Sequence, residues 1–167
     1  MKKIFMMTLL LLTTLFITAC NPAVNELVDY TNGDLQTYNE MWESIEPDLD
    51  AITYFTGSEE DLYAMYESVI AEVQKQLDFV QEVSLQHDES IELHAILISS
   101  VEKELLAYTQ AKDALDALFE GDEETSNELF EESSKTLAES YEEIDDYNNR
   151  LDELVEKYDL EYTDERL

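Results

Sequence analysis

The chain has 167 residues, 41 of them acidic and nine basic, for a formal charge of −32. That length supports one domain with a core, and that charge excludes tracking a phosphate backbone or clinging to anionic headgroups through surface basicity. Apolar residues make up 44% of the chain and recur at helical spacing, which separates it from acidic disordered sequences.

The first element is a leader. Met1-Lys2-Lys3 is a short basic opening, and an apolar run from Ile4 to Ile17 follows, broken only by Thr8, Thr13 and Thr14. A transmembrane helix needs ~20 apolar residues, so this run reads as the apolar part of a secretory signal peptide. It closes on Ala19 and Cys20, the sole cysteine. Ile17-Thr18-Ala19-Cys20 resembles the lipobox of bacterial lipoproteins, with Ile17 where that family has Leu. The resemblance implies a diacylglyceryl group on the Cys20 thiol, cleavage between Ala19 and Cys20, and residence on the extracytoplasmic face of the cell membrane. Two acyl chains anchor stably at ~0.8 kcal/mol per buried CH₂. An acylated Cys20 also leaves no thiol for a disulfide, a nucleophile or a metal. The plainer alternative is an ordinary signal peptide with an incidental cysteine. The expected layout is a signal peptide over 1–19, a lipid-anchored N-terminus over 20–22, an acidic four-helix bundle over 23–160, and a frayed tail over 161–167. Removing residues 1–19 takes Lys2 and Lys3 and leaves 148 residues with 34 excess negative charges.

Helical punctuation follows the leader. Asn21 suits an N-cap and Pro22 a first helical position. Val24, Val28, Thr31, Leu35, Tyr38, Trp42, Ile45, Leu49 and Ile52 then step by threes and fours. The stripe passes Gly33 and Pro47 in phase, which predicts one long helix kinked near Pro47, with two shorter helices as the alternative. Gly57 ends it. Ser58 to Asp61 reads as a capping box with Asp in the usual Glu position. Leu62, Met65, Val69, Val73, Leu77 and Val80 predict a second helix, and "LQHDES" a turn. Ile91, Ala95, Ile98, Val101, Leu105, Tyr108, Lys112, Leu115 and Leu118 predict a third. Gly121-Asp122 stops and restarts the chain. Phe130, Leu137, Tyr141, Ile144, Asn148, Leu151, Val155 and Tyr158 predict a fourth, with polar exceptions at Ser134 and Asn148. Four such segments joined by short turns predict an all-α, elongated up-down-up-down bundle.

Chemistry-bearing patterns are sparse. The two histidines, His87 and His94, lack the Glu-x-x-His spacing of a di-iron bundle and the His-Glu-x-x-His of a zinc protease. His94 reads as a core-edge residue and His87 as a turn residue. Acid runs such as Glu59-Glu60-Asp61, Asp122-Glu123-Glu124 and Asp145-Asp146 lack the alternation and internal glycine of a Ca²⁺ loop; "GDEETSNE" shows the lack. Adjacent acids on a helix diverge, so weak divalent-cation binding is the most they imply. No phosphate-binding glycine loop or nucleophile elbow occurs. The sequence therefore predicts no cofactor, no metal site and no enzymatic activity. Tyr38, Tyr66, Tyr108, Tyr141 and Tyr158 fit the stripes and read as core. Tyr30, Tyr54, Tyr63 and Tyr147 fall off them, as contact residues or as seam residues with wet hydroxyls.

From "VIAEVQKQLDFVQEVSLQHDESIELHAILISSVEKELLAYTQAKDAL" through "SYEEIDDYNNRLDELVEKYDLEY" the chain resembles small helical lipoproteins of Gram-positive bacteria. That group implies a lipobox followed by four long helices and no assigned activity. The function expected is a non-enzymatic, membrane-anchored module binding an unknown protein partner, including the immunity or exclusion type. The alternative is a weak cation-binding or buffering lipoprotein at the cell wall. Tyr54, Phe55 and Phe119, beside acid clusters at two turns, are the candidate partner-binding residues. They also suit a plug for the end of the core.

Overall fold

The computed structural model describes residues 11–13 and 21–163. The protein is a helical bundle. The lipobox and nearly all of the expected signal peptide, Ala19 and Cys20 included, lie outside the described residues. Within that leader, Leu11–Thr13 (β1) pairs antiparallel with Glu161–Thr163 (β2), Leu12 opposite Tyr162. The expected fraying from residue 161 is therefore corrected over 161–163. Leu160 is buried, and the Tyr162 hydroxyl donates to Asp152, which ties the segment down.

Helix α1 spans Pro22–Asn32 and α2 spans Asp34–Thr53. Asn21 caps α1 through its side-chain oxygen, which accepts the Ala23 N–H at 3.1 Å. The single long helix expected here is divided into two shorter ones, the alternative reading, and the division lies at Gly33. Gly33 sits at φ −113°, ψ −77°, yet its N–H donates to Asp29 O and its carbonyl accepts from Thr37 N. The chain thus passes through a distorted turn rather than a loop. A Cβ on Gly33 would meet Asp29 O at 2.9 Å, so a side chain would strain this crowded turn. Pro47 lies inside α2, and both it and Glu43, whose carbonyl loses its bond, are exposed. Water can satisfy that carbonyl, so the helix continues.

Helix α3 spans Glu59–Glu82, and Ser58 caps it by accepting the Asp61 N–H while donating to Asp61 Oδ2 at 2.8 Å. Helix α4 spans Asp88–Phe119 and α5 spans Glu123–Lys157. Gly121 takes φ +83°, the left-handed turn that suits glycine, and Asp122 caps α5 by accepting from Thr125 N.

Side-chain bonds fix the register between α4 and α5. Glu89 meets Lys157, Ser100 meets Ser140 and the Ala107 carbonyl meets Ser133, so the two helices run antiparallel. Between α3 and α4, Val80 meets His94 and Tyr63 meets Phe119, again antiparallel. Lys103 bridges to Glu143 at 2.8 Å and Arg150 to Glu92 at 3.6 Å, so scarce cations span helices as well as pairing along them.

The stripes of α1 to α3 match the buried core at Val24, Leu35, Tyr38, Ile45, Val69, Val73, Leu77 and Val80. Those of α4 and α5 do not match throughout. Ile91 and Tyr141, expected inside, are exposed. Helix α4 instead buries Leu93, His94, Leu97, Ser100, Val101, Glu104, Ala107 and Tyr108 along its length. The first half of α5 buries Ser126, Ser133, Thr136 and Ser140. Small hydroxyl residues let the two backbones approach closely. Ser100 Oγ donates to Ser140 O at 3.1 Å, and Ser140 Oγ returns a bond to Ser100 O at 2.9 Å. Tyr30 and Tyr147, read as off-stripe, are among the most buried side chains.

Candidate functional site

Two features stand apart from ordinary bundle packing: an exposed aromatic edge, and two polar layers inside the core.

The edge includes the sequence candidates. Tyr54 follows α2 and is 71% exposed; Phe119 ends α4 and is 45% exposed. Phe119 lies 5.8 Å, centroid to centroid, from Tyr63 in the second turn of α3. Lys112 Nζ sits 4.4 Å over the Tyr63 ring and 3.2 Å from Asp116 Oδ2. Phe55 folds over Gly57, where a Cβ would come within 2.4 Å of its ring. Glycine therefore lets this turn close under an aromatic lid. The structure joins Phe119 to Tyr63, a residue singled out only as off-stripe, and leaves Tyr54 open to solvent. The acid groups at 59–61 and 122–124 are exposed.

The first buried layer centres on His94, 5% exposed. Its Nε2 lies 2.7 Å from Val80 O and its Nδ1 lies 3.1 Å from Tyr30 Oη. The Tyr147 hydroxyl donates to Tyr30 Oη at 3.2 Å. A carbonyl only accepts, so Nε2 carries the proton. Tyr30 Oη accepts from Tyr147 and, being buried, has no other acceptor bonded to it among the described residues, so its own proton goes to Nδ1. Residues from α1, α3, α4 and α5 thus form one directed chain in which each donor meets an acceptor. Burial holds the His94 imidazole below its ordinary value, opposed by the Val80 carbonyl and by Asp34. Burial also raises the Tyr30 and Tyr147 hydroxyls, which stay protonated.

The second layer centres on Glu104, 4% exposed. Its hydrogen-bond donor is Tyr108 Oη at 3.4 Å, near the outer limit for such a bond. Tyr38 from α2 and Tyr141 from α5 also lie within electrostatic reach. Burial pushes the Glu104 carboxyl up to about 7, opposed by the Tyr108 bond. Elsewhere in the core, Gln76 of α3 and Asn39 of α2 are buried too. Both amide atoms of Gln76 and Oδ1 of Asn39 make no hydrogen bond. Sequence reasoning missed Glu104, because one acid among 41 carries no mark. Its signal was positional: it follows Leu93, Leu97 and Val101 at helical spacing and breaks an apolar face.

A surface groove of about 410 Å³ opens beside Glu26, Asp29, Tyr30 and Asp34. Glu26 is committed there, accepting the backbone N–H of Gln86 at 2.7 Å and of His87 at 2.9 Å. Although desolvation opposes it, these bonds hold the Glu26 carboxyl below its ordinary value. Among the described residues no three His, Cys, Asp or Glu side chains converge as metal ligands. Among them, too, no helix is long and apolar enough to cross a membrane. No protein-family model matches the sequence, and neither a curated protein nor a solved structure does.

Proposed function

We propose that the chain is a lipid-anchored, extracytoplasmic module that binds a protein partner through its exposed aromatic edge and performs no chemistry of its own. The observation that carries this reading is the edge itself: Tyr54 stands 71% exposed and Phe119 45% exposed, with Tyr63 against Phe119. Aromatic side chains give large contact area at low entropy cost, and a charged rim around them suits a protein interface.

The anchor is Cys20, after a signal peptide over 1–19. In an up-down-up-down bundle the turns after the first and third helices share the end away from Cys20. The contact between Tyr63, early in α3, and Phe119, at the end of α4, supports that arrangement. The aromatic edge then faces away from the membrane, where a partner can reach it. An immunity or exclusion protein, which blocks a toxin or a transfer machine at the cell surface, is one role of this kind.

The test is crosslinking in native membranes, comparing wild type with Tyr54→Ala and Phe119→Ala, with folding checked by circular dichroism. Loss of a specific crosslinked species in folded variants is the expected result; equal yields overturn the reading. The anchor is tested separately. Cys20→Ala is expected to abolish labelling by a fatty-acid analogue, and unchanged labelling removes the anchor from the proposal.

A further inference from the structure

His94 and Glu104 both project from α4 into the core, and neither has a charged partner bonded to it there. Around His94 stand Tyr30 from α1, the Val80 carbonyl from α3 and Tyr147 from α5, with Asp34 of α2 the nearby charge. Around Glu104 stand Tyr38 from α2, Tyr108 from α4 and Tyr141 from α5, with Tyr66 of α3 bearing on Tyr108. Tyr38 bears on Tyr30 as well as on Glu104, so the two layers adjoin.

The bonding of each group dictates its protonation. His94 donates through Nε2 and accepts at Nδ1, which only the neutral ring does. Glu104 is buried with only the long Tyr108 bond to favour a carboxylate, so it enters the core as the acid. In the unfolded chain near pH 6 the same two groups are imidazolium and carboxylate. We propose that His94 and Glu104 form a proton-balanced pair: on folding, the imidazole gives up one proton, the carboxyl takes one, and the exchange with solvent cancels.

The two groups would tilt stability in opposite directions if left alone. The folded value of Glu104 is raised from 4.5 to about 7, so the stability it lends is full below 4.5 and is lost as pH rises toward 7. The folded value of His94 is lowered from 6.5, so the stability it lends is full above 6.5 and is lost as pH falls toward that folded value. Each slope reaches at most about tenfold in the folding equilibrium per pH unit. Just below pH 6.5 they oppose one another. The pair thus brings two ionisable groups into the core while leaving the fold insensitive to pH on their account.

The experiment measures the folding equilibrium of the full chain by denaturant titration between about pH 5 and 6.5, at constant ionic strength, as ratios to wild type so that other carboxylates cancel. For Glu104→Gln the ratio is expected to rise with pH, by up to about tenfold per unit. For His94→Gln it is expected to fall with pH, and for the double variant to stay flat. A flat or oppositely sloped ratio in either single variant overturns the pair. Should a variant fail to fold, nuclear magnetic resonance of labelled wild type decides. A protonated Glu104 carboxyl with a His94 ring protonated at Nε2 alone supports the pair, and a carboxylate or an imidazolium in the folded state overturns it.

Discussion

The two polar layers sit in one core and treat buried polarity in opposite ways. Around His94 the chain from Tyr147 through Tyr30 to the Val80 carbonyl is closed: each step is 3.2 Å or shorter. Around Glu104 the bond is 3.4 Å, and elsewhere in the core Gln76 and Asn39 leave amide atoms without partners. A hydrogen bond contributes only ~1 kcal/mol net, whereas an unmet buried group costs ~1–3 kcal/mol. The first layer therefore holds four helices in register at little cost. The second subtracts from stability, and the bundle tolerates it because apolar packing on either side carries the fold.

The strongest way to break this contrast is His94→Ala. It empties a packed core position and strands both the Val80 carbonyl and the Tyr30 hydroxyl, for an expected loss of about 3 kcal/mol in urea unfolding at pH 7. Gln76→Leu tests unmet buried polarity with the opposite sign. It replaces two unpaired amide atoms by an apolar side chain of similar size, for an expected gain of about 1 kcal/mol in the same titration. A loss would show that Gln76 has a partner, such as bound water. The finest comparison applies one change to both layers. Tyr147→Phe is expected to cost about 1 kcal/mol and Tyr108→Phe less than half of that, since the hydroxyl lost from Tyr108 makes the longer bond to Glu104. Equal losses would erase the distinction.

How far the sequence could be read follows the same division. The stripes from Val24 to Ile52 and from Leu62 to Val80 identified much of the core of α1 to α3, because there branched and aromatic side chains fill most of the buried face. In α4 and α5 the stripes found Val101, Tyr108, Leu115, Ile144, Leu151 and Val155 but missed the rest for a physical reason. Their buried faces hold Ser100, Glu104, Ser126, Ser133, Thr136 and Ser140, which periodicity counts as polar, and the stripe drifted onto exposed Ile91 and Tyr141. Small hydroxyls close to a neighbouring backbone behave as core residues, since their bonds go to carbonyls across the interface. The edge residues Tyr54 and Phe119 were legible from their place at turns, but Tyr63, the partner of Phe119, was not, because a residue of α3 and one at the end of α4 meet only through packing.

The sequence by itself determined the helical class, the turns at Gly57 and Gly121, the caps at Asn21 and Ser58, and the charge, since these rest on local backbone preference and composition. Only the tertiary structure decided that the first helix yields at Gly33 rather than at Pro47. That outcome turns on whether a freed carbonyl reaches water and on whether a Cβ fits against Asp29 O. Only the tertiary structure, likewise, set one glutamate among many into the core and gave His94, read as a core-edge residue, its Tyr30 and Val80 partners. Burial is a property of which helix faces meet, and it is burial that leaves Glu104 an acid and His94 a neutral base.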